Sequence, residues 1–238
     1  MRKISATLAM TVLITGLACS RALASTITYV TPPGATTSGG PVNASATFTT
    51  NTNTLTILLQ DLLSNPTNVA QLPSDLFFTL SGGLTVGSVS SSSATEIVIN
   101  ADGTSTLGST VPVGWVLSST GGVFHLDDLA GLGHAGPAHL IIGPPGAGGL
   151  YSNANNSIAG NGPHNPFLDQ SATFVLNIPG MTSSTTVTGT TFSFGSEAGI
   201  NVVGRPGDDV TVPEPASMML LGLGLVAGAR RFRQRSQE

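Results

Sequence analysis

The chain has 238 residues, of which 40% are hydrophobic and only 8% are charged, and its formal net charge is −4. Residues 25–212 contain ten acidic residues and a single basic residue, Arg205, so this segment alone has a net charge of −9 with histidine neutral. Binding to nucleic acid or to an anionic lipid surface depends on clustered lysine and arginine, so this composition excludes both. The segment is long enough to form one domain with its own hydrophobic core.

The first 24 residues have the pattern of a secretory signal peptide. Two basic residues precede an apolar stretch over 4–19, and Ala22 and Ala24 are the small residues at the −3 and −1 positions of a cleavage site. We therefore expect cleavage before Ser25. Cys19 offers an alternative, because it lies in a loose lipoprotein box and would then be acylated. It is the only cysteine, so a chain cleaved after Ala24 has no disulfide.

Residues 25–204 contain many short strand patterns and almost no helical periodicity. The clearest is a hairpin in which strands over 44–50 and 54–60 are joined by the turn Asn51-Thr-Asn53. A looser stretch over 62–72 is predicted to be a loop with one helical turn. Further strands are predicted over 26–31, 76–80, 84–90, 96–100, 172–178, 185–195 and 200–203, and around Trp115. Roughly nine or ten such strands favour an all-β, two-sheet β-sandwich, with jelly-roll and immunoglobulin-like topologies both open.

The region 121–166 is rich in Gly, Pro, Asn and His, and we expect it to be a long insertion with little regular structure. All four histidines of the chain lie in it, beside a pair of aspartates. Imidazole and carboxylate groups are common metal ligands. The candidate metal ligands are His125, Asp127, Asp128, His134 and His139. The alternative interpretation is that these are solvated loop residues.

No motif in the body predicts catalysis. There is no Gly-x-Ser-x-Gly elbow, and the glycine-rich run over 143–149 lacks the Lys-Ser/Thr of a phosphate-binding loop. Calcium is also left open, at the pairs Asp127-Asp128 and Asp208-Asp209, although neither belongs to a spaced aspartate loop. We therefore expect a protein that is not an enzyme and has no cofactor.

A polar stretch over 205–212, interpreted as a stalk, leads to a C-terminal segment over 213–238. This segment begins with Pro213-Glu214-Pro215, which proline geometry keeps extended. The uncharged run 216–229 follows, and as a helix it would be about 21 Å long, shorter than the roughly 30 Å hydrocarbon core of a membrane. Basic residues resist translocation and would stay on the cytoplasmic side. These are Arg230, Arg231, Arg233 and Arg235.

This order of Pro-Glu-Pro, apolar run and arginine cluster resembles the PEP-CTERM sorting signal of bacterial surface proteins. The run Phe192–Gly199 is also similar to the last strand common in that group. The resemblance implies processing near Pro213 by exosortase, a membrane protease-transpeptidase, after 216–229 has held the protein transiently in the inner membrane. It implies release to the cell surface or to an exopolysaccharide matrix. The alternative function is a secreted carbohydrate- or calcium-binding module that uses the loops of 121–166.

Overall fold

The computed structural model describes residues 24–129, 138–159 and 164–207, and this part of the chain is mostly β-structure. It also contains a 3₁₀ helix, Val69–Gln71, and a short π-helix, Ala154–Ile158. The strands of the described residues, numbered in chain order, are β1 (Ser25–Val30), β2 (Thr36–Thr37), β3 (Gly40–Pro41), β4 (Ala44–Asn51), β5 (Thr54–Asp61), β6 (Pro73–Leu80), β7 (Ser88–Ile99), β8 (Ser105–Val111), β9 (Val116–Thr120), β10 (Val123–Asp127), β11 (Ile141–Ile142), β12 (Phe167–Asp169), β13 (Ser171–Asn177), β14 (Val187–Phe194), β15 (Asn201–Val203) and β16 (Arg205–Pro206).

The strands form two large sheets. The first has nine strands in the order β11-β12-β7-β13-β5-β4-β1-β16, with β8 paired to β7 beside this path. The second has five strands in the order β15-β14-β6-β10-β9, and β2 and β3 form a small separate hairpin. The strand β11 runs parallel to β12, whereas the other pairs run antiparallel.

The main hydrophobic core lies between the two sheets. Alternation along β5 points Leu55, Ile57 and Leu59 inward, and all three are fully buried. Phe48 of the nine-stranded sheet meets Phe78 of the five-stranded sheet with ring centroids 5.6 Å apart. Such face-to-face packing of two sheets defines a sandwich. The prediction of an all-β, two-sheet β-sandwich is therefore confirmed.

The predicted hairpin at the centre of the nine-stranded sheet is confirmed. Strands β4 and β5 pair along their whole length, and Asn51 is opposite Thr54 at the turn. Asn53 takes a positive φ of 56° in this turn, a conformation that asparagine tolerates better than most residues. The Asn53 carboxamide oxygen also accepts a hydrogen bond from the Gly180 amide at 2.9 Å. The turn therefore has both a local and a long-range cause.

The region 121–166 is more regular than the sequence predicts. It contains β10, which lies in the five-stranded sheet between β6 and β9. Phe124 and Leu126 of this strand point into the core, and the residues between them point outward. The region also contributes β11, and its π-helix joins a second buried cluster around Tyr151. Two strands predicted over 84–90 and 96–100 are replaced by the single strand β7, to which the largely exposed strand β8 is added.

The predicted helical turn in 62–72 is the 3₁₀ helix, and its N-terminus has a complete capping box. The Asn68 side chain accepts a hydrogen bond from the Ala70 amide at 2.9 Å, and Gln71 Oε1 accepts one from the Asn68 amide at 3.0 Å. These two contacts satisfy backbone donors that a helix start leaves unpaired. Among the described residues, no helix is long and apolar enough to cross a membrane.

Candidate functional sites

Strand β10 places two of the predicted metal ligands on the outer face of the five-stranded sheet. His125 and Asp127 alternate with the core residues of this strand, so they share the opposite face. Strand β6 pairs with β10 and sets Asp75 opposite Asp127. On the other side of β6, strand β14 sets Ser193 opposite Asp75. One row of the outer face thus contains two carboxylates and a hydroxyl, with the imidazole one row away.

Asp75, His125 and Asp127 form a compact group. One ligand atom from each side chain can be chosen so that all three lie within 4.8 Å of one another. His125 Nδ1 is 3.6 Å from Asp127 Oδ2, and His125 Nε2 is 4.0 Å from Asp75 Oδ2. The imidazole stacks on the Phe77 ring, with centroids 3.8 Å apart and an angle of 11° between the planes. The stack fixes the plane of the imidazole beside both carboxylates.

Asp128, which follows β10, brings a third carboxylate to the group. Its backbone amide donates to Asp75 Oδ1 at 3.3 Å and to the Ser74 carbonyl at 3.2 Å. The Asp128 side chain is buried, and its Oδ2 makes no hydrogen bond. Ser193 Oγ is also fully buried without a hydrogen bond of good geometry. Unsatisfied buried polar atoms are rare in folded proteins and call for an explanation.

The pKa values of this group are shifted by burial, with no lysine or arginine among the described residues beside the carboxylates to oppose the shifts. Burial, together with the neighbouring Asp127, raises the pKa of Asp75 to about 7 against weaker hydrogen bonds that lower it. Burial raises the pKa of Asp128 to about 8, with the charges of Asp75 and Asp127 adding to the effect. Burial also lowers the pKa of His125, which the charge of Asp127 partly opposes. Each shift disfavours the charged form in this site.

His139 lies with different partners from the group on β10. Its Nε2 is 3.1 Å from Glu96 Oε1, and its Nδ1 is 2.9 Å from the Val113 carbonyl oxygen. The Trp115 indole donates to the His139 carbonyl at 3.2 Å. The structure thus gives His139 a role in joining loop to strand, and His134 lies outside the described residues.

No local pattern predicts Asp75 or Ser193 as site residues, because they join the group only through strand pairing. Asp75 is 52 positions from Asp127 along the chain, and Ser193 comes from a third strand. Asp61, a buried carboxylate outside this group, differs from Asp128 in its hydrogen bonds. Its two oxygens accept hydrogen bonds from the amides of Leu63 at 2.9 Å and Gly143 at 2.8 Å, so it is satisfied by backbone alone.

The two ends of the described chain lie side by side. Strand β16 pairs antiparallel with β1, and the Gly207 amide donates to the Thr28 carbonyl at 2.8 Å. Because the two strands run in opposite directions, the chain at Gly207 heads toward the end of β1 that begins at Ser25. The predicted stalk over 205–212 therefore begins as a sheet strand. Ala24 is the exposed first residue described.

The predicted processing residues otherwise lie outside the described part of the chain. These are Ala22, Pro213, Glu214, Pro215, Arg230, Arg231, Arg233 and Arg235, together with the predicted membrane helix over 216–229. Their roles stay predictions from the sequence.

A comparison with curated proteins found no match, and a comparison with solved structures found none either. A family model for the PEP-CTERM protein-sorting motif matches residues 211–234. This range contains the Pro-Glu-Pro, the whole apolar run and three of the four arginines. The motif directs exosortase-dependent sorting of a secreted protein, by export through the membrane to the cell surface or extracellular space. The chain therefore carries a PEP-CTERM protein-sorting motif at residues 211–234.

Proposed function

We propose that the chain is a structural, non-enzymatic component of a bacterial cell surface or biofilm matrix. After export and removal of the leader 1–24, the apolar segment 216–229 holds the protein in the inner membrane, with the arginines on the cytoplasmic side. Exosortase then cuts near Pro213-Glu214-Pro215, and the sandwich joins the exopolysaccharide outside the cell. The observation that carries this proposal is a sorting motif attached to a folded β-domain.

The position of the two ends supports a transient attachment at one edge of the sandwich. Strands β1 and β16 are neighbours at the edge of the nine-stranded sheet, and the chain leaves β16 at Gly207. A membrane-held tail would thus attach beside the N-terminus of the mature domain.

The outer faces of both sheets support contact with a neutral polysaccharide. Threonine hydroxyls on adjacent strands lie within hydrogen-bonding distance of each other and offer uncharged donors and acceptors. The pairs are Thr26 with Thr49 at 3.3 Å, Thr28 with Thr47 at 2.9 Å, Thr79 with Thr188 at 2.8 Å, and Thr95 with Thr110 at 3.5 Å. Because residues 25–212 have a net charge of −9, they repel acidic polymers, so the proposed partner is a neutral exopolysaccharide.

Fractionation of the producing bacterium tests this destination. Cultures of the wild type and of a strain without exopolysaccharide are separated into washed cells, matrix and medium, and the protein is quantified in each. We expect the processed protein in the wild-type matrix and in the medium of the polysaccharide-free strain. An equal distribution in both strains would contradict the matrix assignment while leaving sorting itself intact.

Co-sedimentation of the purified protein with exopolysaccharide tests the chemistry of the contact. Hydrogen bonding to a neutral sugar should persist as the salt concentration is raised, because screening acts on charged pairs. Binding that disappears at high salt would show that charge, not the hydroxyl surface, holds the polymer.

A further inference from the structure

We propose that Asp75, His125 and Asp127, with Asp128 beside them, form a structural site for a divalent transition-metal ion that joins strands β6 and β10. The first observation is geometric. The three side chains present ligand atoms within 4.8 Å of one another, so small side-chain movements would bring all three to the usual bond lengths of about 2.0–2.2 Å from one ion.

The second observation is the buried polar atoms that the protein itself leaves unsatisfied. Asp128 is only 3% exposed, its carboxylate lies close enough to Asp75 and Asp127 for their charges to act on it, and its Oδ2 makes no hydrogen bond. His125 Nε2 is buried, makes no hydrogen bond and lies 4.0 Å from Asp75 Oδ2. An ion between these groups would coordinate buried polar atoms whose loss of hydration is otherwise offset by no hydrogen bond.

The third observation is the absence of any other positive charge. Within residues 24–207 the sole lysine or arginine is Arg205, which lies on β16 at the edge of the other sheet. The carboxylates of Asp75, Asp127 and Asp128 therefore act on one another with no lysine or arginine on β6 or β10 to balance them. Asp61 shows how this chain satisfies a buried carboxylate without an ion, through two backbone amides. Asp128 Oδ2, in contrast, lacks a hydrogen bond from the residues that the structure describes.

The donor set indicates the class of ion. Carboxylate oxygens with one imidazole nitrogen suit Zn²⁺ or Mn²⁺, whereas a calcium site consists of oxygen ligands. The side chains of His125 and Asp127 are 22% and 13% exposed, so an ion can enter from solvent. Asp75 and Asp128 are almost fully buried, which suits an ion that holds strands together. A body without disulfides would gain a cross-link between β6 and β10 in this way.

Titration of the metal-free full chain with Zn²⁺ by calorimetry, with Ca²⁺ in parallel, tests the proposal. We expect one Zn²⁺ per chain, with weaker binding of Ca²⁺. At free Zn²⁺ about 100-fold above Kd, mass action predicts a rise in Tm of about 5–10 °C for a domain of this size. Absence of Zn²⁺ binding would overturn the proposal and leave a shared proton as the occupant of the carboxylate group. Tighter binding of Ca²⁺ than of Zn²⁺ would overturn the assignment to a transition metal.

Matched variants locate the site. Asp75→Asn keeps the shape of the side chain but removes its negative charge, and His125→Gln removes the imidazole nitrogens; each should weaken Zn²⁺ binding by at least about tenfold. His139→Gln is the control, because it removes the imidazole of the other histidine–carboxylate pair, His139 with Glu96. Circular dichroism confirms that each variant folds. Should Asp75→Asn misfold, His125→Gln still decides the question, since this side chain is partly exposed. Loss of binding in His139→Gln alone would overturn the proposal.

Discussion

Phe78 joins the two sheets, so its replacement by alanine measures how much the sandwich depends on its shared core. Its side chain is 1% exposed, and its ring lies 5.6 Å from that of Phe48 on the opposite sheet and 5.2 Å from that of Phe124 on the adjacent strand. Replacing a buried phenylalanine by alanine costs about 3–5 kcal/mol. Each aromatic pair adds about 0.5–1.5 kcal/mol to the area term. We therefore expect Phe78→Ala to cost about 4–5 kcal/mol.

Urea denaturation followed by tryptophan fluorescence measures this cost. Trp115 is the only tryptophan, is 4% exposed and packs against Phe174 with centroids 5.3 Å apart, so its emission reports the core. With an m value of about 2 kcal/mol/M, the midpoint should fall by roughly 2 M. Leu107→Ala is the control, because Leu107 is 63% exposed and its replacement should cost less than about 0.5 kcal/mol. A loss of under about 1 kcal/mol for Phe78→Ala at unchanged m would refute the shared core.

Three further predictions concern buried polar and backbone contacts. Tyr29→Phe removes the hydroxyl that donates to the Val187 carbonyl at 3.0 Å, and should cost about 1–2 kcal/mol in urea denaturation; no loss would mean that this contact adds nothing. Gly143→Ala places a Cβ against the Leu63 carbonyl oxygen with no room for it, so the backbone must shift, and we expect a lower Tm by circular dichroism. An unchanged Tm would show that this approach is not tight. Burial raises the pKa of Asp61 well above its ordinary value, so the folded state holds the proton more strongly than the unfolded state. That contribution is complete below about pH 4 and is lost as the pH rises through the folded pKa, so the stability of the wild type should fall relative to Asp61→Asn from about pH 4 toward neutral. A difference that does not change with pH would contradict the raised pKa.

The sequence could predict those parts of the fold that local pattern determines. The hairpin of β4 and β5 follows from two alternating runs and the turn at Asn53, all within 18 residues. The sequence does not predict strand β10, because its alternation covers only five residues, includes a histidine and follows two glycines. The sequence does not predict strand β8 either. Its residues are exposed up to Val111, so the strand has no buried face to impose an alternation of apolar and polar residues. Alternation of apolar and polar residues predicts a strand only where one face of the strand is buried.

The candidate site shows the same division between local and distant information. His125, Asp127 and Asp128 are close in sequence, and the structure keeps them close in space. Asp75 comes to them only when β6 pairs with β10, which no local signal specifies. His139 is near in sequence but pairs with Glu96, because its strand neighbours belong to the other sheet. The sequence therefore predicts which local residues could share a site, but not the complete set that strand pairing brings together.

The intact mass of the protein from its producing cells, compared with that from an exosortase-deficient strain, tests the central claim most directly. Exosortase-dependent sorting predicts a chain running from Ser25 to near Pro213 in the wild type, with the segment through Glu238 retained only in the deficient strain. A tail that remains intact in both strains would contradict the account. The apolar segment would then be a plain membrane anchor, and the β-sandwich would stay at the inner membrane.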